Sequence, residues 1–246
     1  LRRIKAIDHT PFLLLLPGQL CDESLWLGQI QTLGDIARIQ VGDLTRDDSV
    51  SAMAQRALAA APARFALCGL SLGGYVALEI VRQAPDRVTR LALISTSARA
   101  DAPDQSERRE RSVRAARIGS FRGVTPRFLP GILHPVHAAD PAITQIVLEM
   151  TERVGRVAFE RQQVAAMNRP DSLPLLSSIT QPTLVIGGLQ DRVIPVAMQE
   201  EIAAGIPRAQ LAVLDPCGHL APVEQPDAVS DLMRRWLQKA PGSETG

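Results

Sequence analysis

Residues 65–79 read FALCGLSLGGYVALE, and the middle of that stretch places one hydroxyl, Ser71, among glycines and leucines. The apolar run before it, RFALC, has the length and composition of a buried strand. The segment after it, LGGYVALEIV, carries helical spacing and ends before Pro85. Gly69-Leu70-Ser71-Leu72-Gly73 fits the pattern G-x-S-x-G. A bare pentapeptide of this kind reads first as a tight turn. Between a strand and a helix it reads as a sharp, strained elbow that lifts the serine above a sheet, with a glycine on either side so that the backbone can crowd. The helix that starts there favours developing negative charge at its N-terminus. Ser71 is therefore the candidate nucleophile.

A serine hydroxyl needs a general base, and the base needs an acceptor that fixes its tautomer. His219, in DPCGHLAPVEQP, follows the last strand candidate and precedes the last helix. Asp191, in GGLQDRVIP, follows the strand PTLVIGG, where Gly187 and Gly188 let the loop turn towards the histidine. The order Ser71, Asp191, His219 is the serine–acid–histidine order that accompanies such an elbow. Taken alone, Asp191 also reads as a helix-start cap and His219 as a loop histidine. Asp101 is a distant second choice of acid, and Asp215 lies too close to His219 in sequence. Acyl transfer further requires N–H donors aimed at the oxyanion. Leu72, after the nucleophile, supplies one. The loop LLPGQLCDESLW supplies the other, from Gln19 or, failing that, Leu20. Leu20, Val193 and Leu220 are the candidate pocket residues.

Working outward, short apolar runs at 12–18, 37–44, 64–69, 90–96, 182–188 and 209–215 alternate with amphipathic segments. That alternation predicts a mostly parallel sheet covered by helices on both faces, an α/β fold. Residues 99–178 break the rhythm, with no convincing strand. AITQIVLEMTERV sets Ile143, Ile146, Val147, Met150 and Val154 on one helical face, and Pro126, Pro130, Pro135, Pro141, Pro170 and Pro174 divide the interval into short pieces. The interval reads as a helical insertion, so that 1–98 and 179–246 form the core and 99–178 a separate cap. Between Arg99 and Arg169 there are 12 Arg against 8 Asp plus Glu. The excess reads first as a solvated helix face laced with i,i+4 pairs such as Glu107 with Arg111. Its second reading is a basic rim for acidic substrates or an acidic carrier protein.

The whole chain of 246 residues has 27 Lys plus Arg against 26 Asp plus Glu, which gives no bulk electrostatic reason to expect nucleic acid or an anionic membrane as partner. No apolar run approaches the roughly 18–20 residues that span a bilayer, and LRRIKAIDHT is not a signal h-region. Cys21, Cys68 and Cys217 are odd in number and irregularly spaced, which fits buried thiols in a reducing cytoplasm better than disulfides. His134 and His137 lack neighbours at metal-ligand spacing, so neither a metal nor a cofactor is expected. The last residues, APGSETG, read as a frayed tail.

GLSLGGYVAL, PTLVIGGLQDRVIP and GHLAPVEQPDAV together resemble the α/β-hydrolase superfamily, particularly its small cytoplasmic esterases and lactonases. The likeness runs from Phe12 to Leu237. It implies that 99–178 is a helical cap roofing the site, and it points towards enol-lactone hydrolases and carboxylesterases acting on acyl-carrier-protein esters. An acyl-carrier protein is thereby admitted as a partner beside a small ester or lactone. Two departures are visible. Pro17-Gly18 stands where the family usually has His-Gly, and proline has no N–H to contribute to that loop. Only eleven residues precede Phe12, so the family's opening β-hairpin is expected to be reduced. The leading expectation is a serine hydrolase of small carboxylic esters or lactones. Carbon–carbon bond hydrolysis, lyase or perhydrolase chemistry on the same triad comes second, and a non-catalytic small-molecule receptor third.

Overall fold

The structure, a computed structural model, describes residues 10–119 and 121–239. Six strands form one sheet: β1 (Phe12–Leu16), β2 (Arg38–Val41), β3 (Phe65–Leu70), β4 (Val88–Ile94), β5 (Thr183–Gly188) and β6 (Ala209–Leu214). All neighbours pair in parallel, in the order β2-β1-β3-β4-β5-β6. Strand side chains alternate between the two faces. On one face Leu14, Leu16, Leu67, Leu91, Leu93 and Val185 pack beneath α2 (Val50–Ala60), α3 (Leu72–Gln83) and α8 (Val196–Gly205). On the other, Leu13, Leu15, Ala66, Ala92, Leu184 and Ile186 meet α1 (Leu27–Leu33), α9 (Ala221–Glu224) and α10 (Pro226–Gln238). Leu13 to Leu16 are fully buried, each contributing roughly 1.5–3 kcal/mol relative to exposure. Burial on both faces explains the near-continuous apolar strands. The exceptions are the two edge strands: β2 is only half-buried, and in β6 Leu211 and Val213 remain exposed.

Local signals behave as their chemistry requires. Ser49 caps α2 by accepting the Ala52 N–H at 3.2 Å. Between β4 and β5 there are only helices among the described residues: α4 (Pro103–Ile118), α5 (Pro135–Ala138), α6 (Pro141–Met167) and α7 (Leu173–Leu176), with a 3-10 turn at Leu129–Gly131. The prolines do not leave only short pieces. Pro141 occupies the first turn of α6, where its missing N–H costs nothing, and α6 then runs for 27 residues. It bends at Gly155, the one interior position with left-handed φ (73°). On α4 the pairs Asp104–Arg108, Glu107–Arg111 and Glu110–Arg114 form at i,i+4, and its remaining arginines, Arg109 and Arg117, pair with Asp101 and Glu160 outside the helix. The expected reduction of the opening hairpin, and the frayed tail, lie outside the described residues.

The sheet order also says where a site belongs. From β1 the chain moves outward to β2, whereas from β3 it proceeds the other way to β4. The crevice at the carboxyl ends of β1 and β3 is therefore a topological switch point, the place where open α/β sheets collect ligands. Gly18–Cys21 leaves β1 there, and Ser71 leaves β3.

Candidate active site

Ser71 joins β3 to α3 at φ 53° and ψ −114°, a conformation that costs a residue with a side chain of order 1–3 kcal/mol. The surroundings hold it. Its N–H donates to Ile94 O at 3.0 Å, and Thr96 Oγ1 donates to its carbonyl at 2.8 Å. A Cβ on Gly69 would lie 2.2 Å from Gly73 O, and one on Gly73 would lie 2.1 Å from Leu16 O. Those two glycines let the elbow close upon itself and press the start of α3 against the end of β1. Leu72, at the first position of α3, presents a backbone N–H that no helical carbonyl can accept.

His219 and Asp191 come together as their spacing along the sheet suggests. His219 Nδ1 lies 2.8 Å from Asp191 Oδ2, and both side chains are almost fully buried. The other carboxylate oxygen of Asp191 accepts the N–H groups of Val193 (2.8 Å) and Ile194 (2.9 Å). Capping the loop and orienting the histidine are thus done by one side chain at once. A Cβ on Gly188 would meet Gly218 O at 2.0 Å, so glycine there allows the aspartate loop to lie against the histidine loop. Asp101 is unavailable as an acid partner: it is buried between Arg109 and Arg169. Asp215 is engaged by Gln190 Nε2.

The histidine loop has a further support that the sequence did not single out. Glu224, buried, accepts the N–H groups on both sides of His219, from Gly218 at 2.9 Å and Leu220 at 3.0 Å. It also accepts the His134 N–H at 2.8 Å and meets His137 Nδ1 at 2.9 Å. His219 N–H donates to Ile132 O at 2.7 Å. His134 and His137 therefore tie the inserted segment to the histidine loop. Glutamate five residues after a loop histidine was the available signal, but spacing alone cannot show four donors converging on one carboxylate.

The loop after β1 is a turn closed by the Cys21 N–H on Gly18 O at 3.2 Å, with Leu20 at φ 57°. The Leu20 N–H is taken by Gln162 Oε1 at 3.0 Å. Leu20 is thus excluded as the alternative oxyanion donor, because its hydrogen is already committed. The Gln19 N–H has no acceptor among the described residues, and Gln19 lines the cavity next to Ser71 and Leu72. Cys21 also reaches this cavity. Burial, then the charge of Asp22, pushes its thiol up to about 12, so it is protonated and no rival nucleophile. Burial raises Cys68 and Cys217 as well.

Ser71 and His219 open on one cavity of about 710 Å³. No hydrogen bond joins the serine hydroxyl to the ring among the described residues. The predicted pocket residues Leu20, Val193 and Leu220 all line it. Leu70, Ile132, Val147 and Met150 extend the apolar part, and Tyr75 is its one aromatic. The lining also has a polar part, where Arg169 stacks over the Tyr75 ring at 4.1 Å and pairs with Asp101.

A parallel sheet with this elbow and these loops defines a class of protein, and comparison with known proteins agrees. Residues 14–232 match the alpha/beta hydrolase family, and the chain belongs to it. It is similar to a pimeloyl-[acyl-carrier protein] methyl ester esterase of Nitrosomonas europaea, 27% identical over 88% of this chain and 91% of that one. Among solved structures, a thermophilic esterase from Thermogutta terrifontis superposes with a TM-score of 0.84, at 30% identity over 93% of this chain and 89% of the other. The enol-lactonase of Burkholderia xenovorans LB400 shares the fold, with a TM-score of 0.82 at 22% identity over 94% and 92% of the two chains. The protein is an α/β hydrolase of esterase type. No helix among the described residues is long and apolar enough to cross a membrane.

Proposed function

We propose that the protein is a serine hydrolase of small carboxylic esters or lactones, working through an acyl-enzyme on Ser71. The observation that carries this reading is the buried 2.8 Å contact between His219 and Asp191 at the wall of the cavity that Ser71 enters. Asp191 occupies Nδ1, which leaves Nε2 of His219 as the general base. The Ser71 oxygen attacks the carbonyl carbon, its proton passes to Nε2, and the carbonyl electron pair moves onto oxygen. The N–H groups of Leu72 and Gln19 stabilise that oxyanion, an effect worth about 2.7–4 kcal/mol for a single donor in comparable sites. The imidazolium then gives its proton to the departing alkoxide as the ester C–O bond breaks. Water, activated by the same ring, releases the acid and restores Ser71.

In this reading residues 99–178 act as the cap, roofing the cavity over the serine while leaving room for the water that deacylates it. The apolar half of the cavity takes the acyl or alkyl chain. The name of the Nitrosomonas relative makes an ester carried on acyl-carrier protein one substrate worth including. A panel of p-nitrophenyl esters, lactones and vinylogous diketones tests the reading. Wild type is expected to turn over short esters, with Ser71→Ala lowering kcat by at least about 10⁴-fold while the protein stays folded. Turnover of the diketones alone would replace ester chemistry with carbon–carbon hydrolysis on the same triad.

A further inference from the structure

Gln162 lies in the second half of α6, wholly buried, and 142 residues along the chain from Leu20. Both ends of its amide are used. Oε1 accepts the Leu20 N–H at 3.0 Å, and Nε2 donates to Leu44 O at 3.2 Å in the loop between β2 and α2. A single side chain of the insertion therefore clamps two loops of the core.

The conformation of Leu20 says what the clamp is for. Leu20 is the third residue of the Gly18–Cys21 turn and stands at φ 57°, a region unfavourable for a leucine because its Cβ crowds the following carbonyl. Rotating the Gln19–Leu20 peptide by half a turn would return Leu20 to negative φ and still allow Cys21 to bond Gly18. That is the ordinary relation between the two commonest turn types. Intrinsic preference favours the rotated form for a non-glycine residue. The Gln162 carbonyl reverses the choice, because rotation would leave a buried N–H and a buried acceptor both unpaired. That rotation would swing the Gln19 carbonyl and the Leu20 N–H, whereas the Gln19 N–H, in the preceding peptide, is placed by how the turn as a whole is anchored.

We propose that Gln162 is the positioning residue of the oxyanion loop. By accepting the Leu20 N–H and donating to Leu44 O it anchors the Gly18–Cys21 turn, and with it the Gln19 N–H one residue away, so the loop is competent only with the inserted helix in place. This rests on the reading of Ser71 as nucleophile and Gln19 as oxyanion donor.

The test compares Gln162→Leu with Gln163→Leu. Gln163 is its buried neighbour, which bonds Arg109 and touches no part of the oxyanion loop. For Gln162→Leu we expect kcat on a p-nitrophenyl ester to fall about 10–100-fold, below the 10²–10³ of deleting a donor outright, with KM within about threefold. The inhibition constant of an alkyl boronic acid, whose serine adduct places an oxygen in the same hole, is expected to weaken by the same factor. Gln163→Leu is expected to lose comparable thermal stability but keep kcat within about twofold. Folded Gln162→Leu with wild-type kcat and boronate affinity would overturn the proposal. So would equal losses of kcat in both variants. Gln162→Glu retains the acceptor for Leu20. It is expected to bind the boronate within about threefold of wild type, and a loss matching that expected for leucine would also count against the proposal. Wild type that neither binds boronate nor hydrolyses esters would instead overturn the reading of Ser71.

Discussion

The elbow at Ser71 and the turn at Leu20 leave the ends of the neighbouring strands β3 and β1 and line one cavity, and each holds a non-glycine residue at positive φ. They are held by opposite means. The elbow is fixed from within the core, by backbone crowding at Gly69 and Gly73 and by short-range bonds from Ser71 to Ile94 and Thr96. The Leu20 turn is fixed from outside the core, by one glutamine of the inserted helix. Strain built into a sheet is inseparable from folding. Strain held by an insertion can be removed, or varied between relatives, without undoing the sheet. The contrast predicts that substitutions at the elbow damage stability and activity together, whereas those at the turn damage activity first.

The largest effect is expected from Gly73→Ala. Its methyl group would lie 2.1 Å from Leu16 O, a backbone atom that cannot swing aside. Unfolding measured by denaturant should show a loss above about 3 kcal/mol, beyond the range of ordinary surface substitutions. A near-neutral result would mean that the elbow is looser than described. Next is Asp191→Asn, which leaves the loop acceptor for Val193 and Ile194 but spoils the histidine tautomer. Initial rates should show kcat reduced about 10³–10⁴-fold with little change in melting temperature. Equal loss of stability would assign Asp191 mainly to its capping role.

A weaker tie between insertion and core sharpens the contrast from the other side. Arg153 on α6 pairs with Asp22 at 2.7 Å. Partial burial acts to raise the Asp22 carboxyl, but the hydrogen bonds and charge of Arg153 and the Ser24 N–H outweigh it and hold it below the usual carboxylate range. A lowered folded value means that this tie stabilises above the unfolded pKa of about 3.9 and fades as pH falls through the folded value. Because the pair is largely exposed, Arg153→Met should cost under about 1 kcal/mol near neutral pH and nothing in strong acid. Melting curves at several pH values decide this, and a constant penalty at all pH values would show that packing, not charge, makes the contact.

What could be read in the sequence follows the same division. The elbow, the sheet and the pairing of Asp191 with His219 are written in local patterns: an apolar run, a glycine pair, a loop placed at a strand end. Gln162 and Glu224 were invisible because their meaning lies in partners far along the chain or in four donors converging on one group. A glutamine within an amphipathic helix looks like any surface glutamine until the fold buries it. The loop after Pro17 was the uncertain place for that reason. Sequence narrowed the donor to Gln19 or Leu20, and only the commitment of the Leu20 N–H to Gln162 separates them. Asp101 shows the converse, a carboxylate whose buried arginine partners remove it from the choice of acids.

The central claim is that Ser71, activated by His219 and Asp191, is the nucleophile. Fluorophosphonate labelling read by intact mass and peptide mapping tests it most directly. Wild type should gain a single phosphonyl group on the peptide containing Ser71, while Ser71→Ala gains none and His219→Ala labels more slowly by at least about 10³-fold. Folded wild-type protein that stays unlabelled, or that carries the label on another residue, would contradict it.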